Sequence, residues 1–270
     1  HREPGLFSRI VVFEPIVFPP SGLRPGSTEN PLVGGARRRR DHARGYLGSG
    51  KATRGRGISM ASQNPAPTPT QELTEAGREF YDRGWALGTS GNFSILLARK
   101  PLRLCITSAG NEKATLDETN FLELDDDAEI LQGFGRPSDE SLLHLTIYRL
   151  RPRARCILYT HSVWGTILSD LMYVDGAITL HGYEVLKGLS GVETHDHTEV
   201  VPIIENSQDQ IAQSHVLQNV LLEAGDIHGI YIRRHGLFAW GETVAEARRH
   251  VEIFEHLFEV TGRSLGIARN

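Results

Sequence analysis

Cysteine is scarce in this 270-residue chain, with only Cys105 and Cys156 present. Two thiols cannot build the dense disulfide framework of a small secreted scaffold. Both lie within apolar runs, which predicts buried free thiols and a reducing compartment, the cytoplasm. Long apolar runs are missing too. No segment approaches the ~20 apolar residues of a membrane span, so no transmembrane helix is expected. No internal repeat is visible. A strong net charge is also absent, the total being −4. Its distribution is uneven: residues 1–59 carry 11 Lys/Arg against 4 Asp/Glu, and the remainder carries 18 against 29. The chain reads as a basic leader on an acidic body. What is present, 39% apolar and 23% charged residues over this length, suffices for one large globular domain or two small ones.

Residues 1–66 cluster Gly, Pro, Ser and Arg, including the run Arg37–Arg40. Apart from Ile10–Phe13 they show no helical or strand period, which predicts disorder. The Arg run suits nucleic acid or a targeting signal. The simpler expectation, with the first Met at position 60, is an upstream extension without a fold of its own, foreign to the natural product, and no nucleic-acid partner. A chain beginning at Met60 should therefore melt at the temperature of the full chain, and a large drop on truncation would refute this.

Residues 67–270 carry the periodic segments. Leu73, Ala76, Phe80 and Leu87 are spaced for a helix over 70–87, with Gly88 as its stop. A Gly/Ser-rich turn follows, Gly88-Thr89-Ser90-Gly91-Asn92. Ile95–Leu97 and Leu102–Ile106 read as a hairpin leading into a second small-residue turn, Thr107-Ser108-Ala109-Gly110. Glycines there permit sharp turns that expose amide N–H groups. Two such turns at adjacent strand ends could form one anion cradle; each alone is equally a plain connection. Lys113 either adds charge to that cradle or is simply solvated. Asp125–Asp127 lacks the spaced ligands of a calcium loop and reads as a hairpin tip. Ser138 is placed as the N-cap of a helix carrying Leu143, Ile147 and Leu150, with Asp139 and Glu140 in its first turn. Helices are also expected over 163–171, 181–188, 211–222 and from Thr243-x-x-Glu246, a capping box, to about Thr261. Strands are expected over 198–204, 227–234 and 237–240. His195 and His197 fall in a polar loop.

Cys156–His161 forms a short buried strand on which Tyr159 and His161 share a face. A second histidine, His235, follows the β-rich run Ile230–Ile232. Two strand-end histidines are a plausible zinc pair, although each could equally hydrogen-bond a neighbouring backbone group.

In order and spacing, these segments resemble the class II aldolase/adducin family from about Leu73 to Leu265. The pieces are Gly-Thr-Ser-Gly-Asn (88–92), Thr-Ser-Ala-Gly (107–110), Pro-Ser-Asp-Glu-Ser (137–141) and Thr-His-Ser (160–162). They continue with Gly-Tyr-Glu-Val-Leu-Lys-Gly (182–188), Val-Pro-Ile-Ile-Glu-Asn (201–206), Arg-Arg-His-Gly (233–236) and Trp-Gly-Glu-Thr (240–243). The resemblance implies an α/β fold, a three-layer α/β/α sandwich around a mixed, largely antiparallel sheet. It implies homotetramers with sites at subunit interfaces and no membrane. It also implies zinc, one ion per subunit, held by three histidines, of which His161 and His235 are two. The third falls on Tyr159, a phenol that must lose a proton of pKa near ~10 to bind well, so the zinc site should be weak. His181 is a possible replacement. The 182–188, 201–206 and 233–236 pieces favour a dehydratase of a phosphorylated keto-sugar over an aldolase. By the same resemblance Glu184 is the acid/base and Glu140 the second candidate. Ser141 contacts substrate, and Thr89, Asn92, Ser108, Gly110 and Ser138 lie in the phosphate-holding segments. Retro-aldol cleavage and a metal-deficient, adducin-like interaction protein are the alternatives.

Overall fold

The computed structural model describes residues 66–268. All but the last residue of the basic leader lies outside the described residues. The elements run α1 (Pro69–Asp82), β1 (Asn92–Arg99), β2 (Leu102–Thr107), β3 (Phe121–Leu124), β4 (Ile130–Gln132), α2 (Ser141–Leu150) and β5 (Cys156–Thr160). They continue with α3 (Val163–Leu171), β6 (Ala177–His181), β7 (Thr198–Ile204), α4 (Gln210–Glu223), β8 (Gly229–Ile232), β9 (Gly236–Gly241) and α5 (Val244–Ala268). The strands form one sheet in the order β4-β3-β2-β1-β5-β9-β8-β7-β6. Only the β7–β8 pair is parallel, so the sheet is mixed and largely antiparallel, as the resemblance implies.

Strand alternation divides the core between two faces. On β5, Cys156 and Leu158 join α1, α3 and α5 through Leu73, Phe80, Leu168 and Phe254. Ile157 and Tyr159 face the other way, towards α2 and α4, with Leu143 and Leu217. Central β5 and β9 are buried along their whole length, because helices cover both faces. Both cysteines are free, and burial pushes the Cys105 thiol up to about 11. Among the described residues no helix is long and apolar enough to cross a membrane.

Several boundaries differ from the sequence expectation. The first helix ends at Asp82, because Gly84 takes φ +77° and Trp85 N donates back to Phe80 O at 2.7 Å; Leu87 is exposed. Ser138 is not the cap of α2, which begins at Ser141 after Glu140. His181 opens no helix; it ends the edge strand β6, and only 184–188 form a short 3₁₀ turn. His197 is half-buried, with Nε2 2.8 Å from Glu199. Thr243 does cap Glu246 N at 3.1 Å, but the Glu246 carboxylate reaches Glu242 N instead of closing the box. The last helix continues to Ala268, where the Trp164 ring packs directly on Gly262.

Candidate active site

Arg233, Arg234 and His235 form the tight connection between β8 and β9, with Ile232 paired to Gly236. Arg234 adopts φ 52°, a left-handed conformation. Ion pairs hold it there: Arg233 reaches Asp170 and Glu205 at 2.8 Å each, and Arg234 reaches Asp170 at 2.8 Å. This joins the 233–236 motif to Glu205 of the 201–206 motif. Only glycine fits at 236, since a Cβ would lie 2.5 Å from Thr160 O. That close approach sets His235 beside the end of β5. His161 is fixed by its own N–H, which donates to Trp85 O at 2.7 Å.

Three rings meet there. Tyr159 and His161 have centroids 4.6 Å apart, Tyr159 and His235 5.5 Å, and the two imidazoles 5.1 Å. Tyr159 also stacks on Phe238 at 3.9 Å. Tyr159 Oη, His161 Nδ1 and His235 Nδ1 are all buried without a hydrogen-bond partner. Leaving a buried polar atom unsatisfied costs about 1–3 kcal/mol, so three such atoms in one place signal a missing guest. The bland reading, in which each histidine bonds neighbouring backbone, does not hold. Burial, His235 and Lys113 depress His161 to about 3, and burial lowers His235 as well. Both imidazoles are thus neutral at pH 7, the form that binds metal. Burial and then the Glu140 charge hold the Tyr159 phenol proton well above the ordinary tyrosine range.

These rings floor a cleft of about 280 Å³. Thr89, Asn92, Ser108, Gly110, Ser138 and Glu140 line it, so most of the candidate residues do converge. Three do not. Ser141 lies at the start of α2, its hydroxyl buried and unpartnered. Glu184 is 70% exposed and pairs with Lys187, which lowers its carboxyl below the usual range. His181, the possible replacement ligand, sits exposed on the edge strand with Nδ1 2.8 Å from Thr198, so it cannot complete the site.

The structure adds a residue that the motifs missed. His144 on α2 is fully buried, and burial depresses it to about 3. Its Nδ1 lies 2.7 Å from Ser94 Oγ, which lies 2.8 Å from Tyr148 Oη. Its Nε2 meets Asn92 Oδ1, while the Asn92 amide donates to Ser138 at 3.1 Å and Glu140 at 3.4 Å. The Asn92 carbonyl must therefore accept from Nε2–H, leaving Nδ1 to accept from Ser94. The chain Tyr148–Ser94–His144–Asn92 thus orients the amide that holds Glu140. Its legible trace was the spacing of His144 and Tyr148, four apart on one helical face.

Glu255 of α5 supports the same strand end from behind. It is buried, its Oε1 accepts from Thr160 Oγ1 at 3.5 Å, and burial raises its carboxyl to about 8. A raised acid contributes stability fully present below its unfolded value and lost as pH rises through the folded one. Glu255→Gln should therefore melt like the parent at pH 4 and above it at pH 9. Parallel melting curves across that range would sink this assignment.

As a donor set, two neutral imidazoles, an unpartnered phenol and a Glu140 oxygen 3.9 Å from His235 Nε2 fit a divalent cation such as zinc. The set is deficient in one respect, since a protonated phenol is a poor ligand. Among the described residues no three His, Cys, Asp or Glu side chains group as a metal cage.

The profile of the Class II Aldolase and Adducin N-terminal domain matches residues 71–261. The chain is 41% identical over 202 residues to the methylthioribulose-1-phosphate dehydratase of Methylococcus capsulatus, spanning 75% of this chain and 97% of that one. It is 37% identical to the enzyme of the same name from Marinobacter nauticus, with 75% and 96% spanned. Among solved structures, Escherichia coli YgbL, described as a putative aldolase/epimerase/decarboxylase, superposes with a TM-score of 0.59 at 27% identity, covering 71% of this chain and 86% of that one. An L-fuculose 1-phosphate aldolase superposes at 0.60 with 19% identity, covering 77% and 91%, a likeness of fold alone. The chain belongs to the class II aldolase/adducin family, whose enzymes are in general metal-dependent.

Proposed function

We propose that this chain dehydrates 5-methylthioribulose 1-phosphate to 2,3-diketo-5-methylthiopentyl 1-phosphate, a step of methionine salvage, with residues 67–270 as its catalytic domain. The carrying observation is the cleft, where two unpartnered neutral imidazoles, the Glu140 carboxylate and two small-residue turns converge. The dehydratase names of the relatives, matched over almost their full length, support the same reading. His161 and His235 would hold zinc; when bound, it polarises the substrate carbonyl and acidifies the neighbouring C–H.

The chain's own residues then divide the work. A carboxylate takes the proton from the carbon beside the carbonyl and protonates the hydroxyl that leaves from the next carbon as water. The resulting enol becomes the second ketone. Glu184 is assigned this task. Its distance from its own cleft is resolved if it serves the cleft of a neighbouring subunit in a homotetramer. The outer stripe of α3, where Val163, Ile167 and Leu171 are exposed at helical spacing, supports such an assembly. The backbone turns at 88–92 and 107–110, with Ser138, hold the phosphate, and Ser141 reaches the substrate only after local movement. The free thiols fit a cytoplasmic enzyme. A second reading, retro-aldol cleavage, is favoured by one observation: Glu140, not Glu184, stands in the cleft. Incubating the purified protein with methylthioribulose 1-phosphate, and scoring diketone against carbon–carbon cleavage products, separates the two. Cleavage without diketone would overturn the dehydratase reading.

A further inference from the structure

Lys113 is the least expected side chain near the cleft. It is 1% exposed, yet no carboxylate pairs with it among the described residues. Its Nζ donates only to backbone carbonyls, Asn111 O at 2.9 Å and Thr89 O at 3.4 Å. Thr89 belongs to the first small-residue turn lining the cleft, and Asn111 directly follows the second. An ammonium buried without a counter-charge costs several kcal/mol, and burial here lowers its pKa to about 8. A hydrogen-bonding role alone does not explain the charge, because a neutral amide would bridge two carbonyls equally well. A second cation, Arg136, stands on the cleft wall beside Ser138, and its guanidinium has no ion pair or side-chain hydrogen bond among the described residues. One cation thus stands on the cleft wall and one is buried behind its turns, and neither pairs with a carboxylate among the described residues.

We infer that Lys113 and Arg136 form an electrostatic clamp for a phosphate dianion, Lys113 acting from beneath the two turns and Arg136 from the rim. The inference rests on the phosphorylated substrate proposed above and assigns the counter-charge of its phosphate. Lys113 is a positioning residue, since it acts across the turns, whereas Arg136 reaches the anion directly.

The test uses Lys113→Gln, which keeps two amide donors for Thr89 O and Asn111 O and removes the charge. Inorganic phosphate is the probe, read as the rise it causes in melting temperature and by titration calorimetry. Losing a hydrogen bond or contact to a charged group corresponds to about 10- to 100-fold in affinity. Lys113→Gln should weaken phosphate by that factor, raise KM for methylthioribulose 1-phosphate similarly, change kcat far less, and melt no lower than the parent. A purely structural lysine predicts the reverse: a lower melting temperature and unchanged phosphate affinity. Should Lys113→Gln not fold, Arg136→Met, at an exposed position, carries the same expected loss. Phosphate affinity unchanged in the folded variants overturns the clamp even if the parent dehydrates its substrate. A parent that fails to dehydrate, but whose phosphate binding falls in both variants, overturns the proposed reaction and leaves the clamp standing.

Discussion

Tyr159→His is expected to raise zinc affinity and turnover together. In the proposed zinc site the phenol stands at the place of the third ligand, 4.6 and 5.5 Å by ring centroid from His161 and His235. Before a cation binds, burial and Glu140 both oppose loss of its proton, and ligation has to overcome that cost. An imidazole there needs no deprotonation beyond neutrality at pH 7. The cavity accepts it, since the ring is smaller than a phenol and keeps the stacking surface of Phe238. Outer-shell changes alter metal affinity by roughly 10- to 100-fold, and a change of direct ligand should exceed that. Competition with a chelator of known affinity measures zinc on both proteins, and diketone formation measures turnover. Equal affinities would mean that Tyr159 already ligates as phenolate, or that Glu140 with the two histidines suffices. Zinc absent from both proteins would favour the metal-deficient interaction protein.

Glu184→Gln is expected to abolish dehydration while metal content and melting temperature stay unchanged. The amide cannot accept the proton, and positioned acid/base groups contribute about 10²- to 10⁴-fold. Fold is preserved because the side chain is 70% exposed and its contacts, with Lys187 and with His195 at 3.7 Å, lie on the surface. Glu140→Gln should cost less in rate but more in metal affinity. If Glu140→Gln is fatal and Glu184→Gln is tolerated, the aldolase-like assignment is the better one. Interface placement has its own signature: mixing Glu184→Gln subunits with His161→Ala subunits restores activity in hybrid oligomers when the acid of one subunit serves the cleft of another. No recovery on mixing would confine Glu184 to its own chain.

Much of the site's frame was legible because it is local. The burial of Cys156–Thr160 and the hairpin at 92–107 follow from apolar runs and turn residues a few positions apart. His161 and His235 could be paired in advance because each ends a strand, and strand ends of one sheet face a common edge. The order and spacing of the motifs carried the family.

What the tertiary structure alone decided concerns polar side chains, whose state depends on atoms far along the chain. In sequence Lys113 reads equally as a charge at the anion cradle or as a solvated residue; its burial, with Nζ donating to Thr89 O and Asn111 O, is decided by the tertiary structure. His144 lies within an apolar helix and gains its role only by meeting Ser94 and Asn92, about fifty residues earlier. Ser138 makes a good N-cap by local preference, but its hydroxyl bonds Asn92 and Glu140 at the cleft instead. Glu184 carries the expected motif and still lies outside its own cleft. Apolar periodicity is read from neighbours in the chain. Whether a charge or hydroxyl is paired, orphaned or exposed is set by long-range contacts.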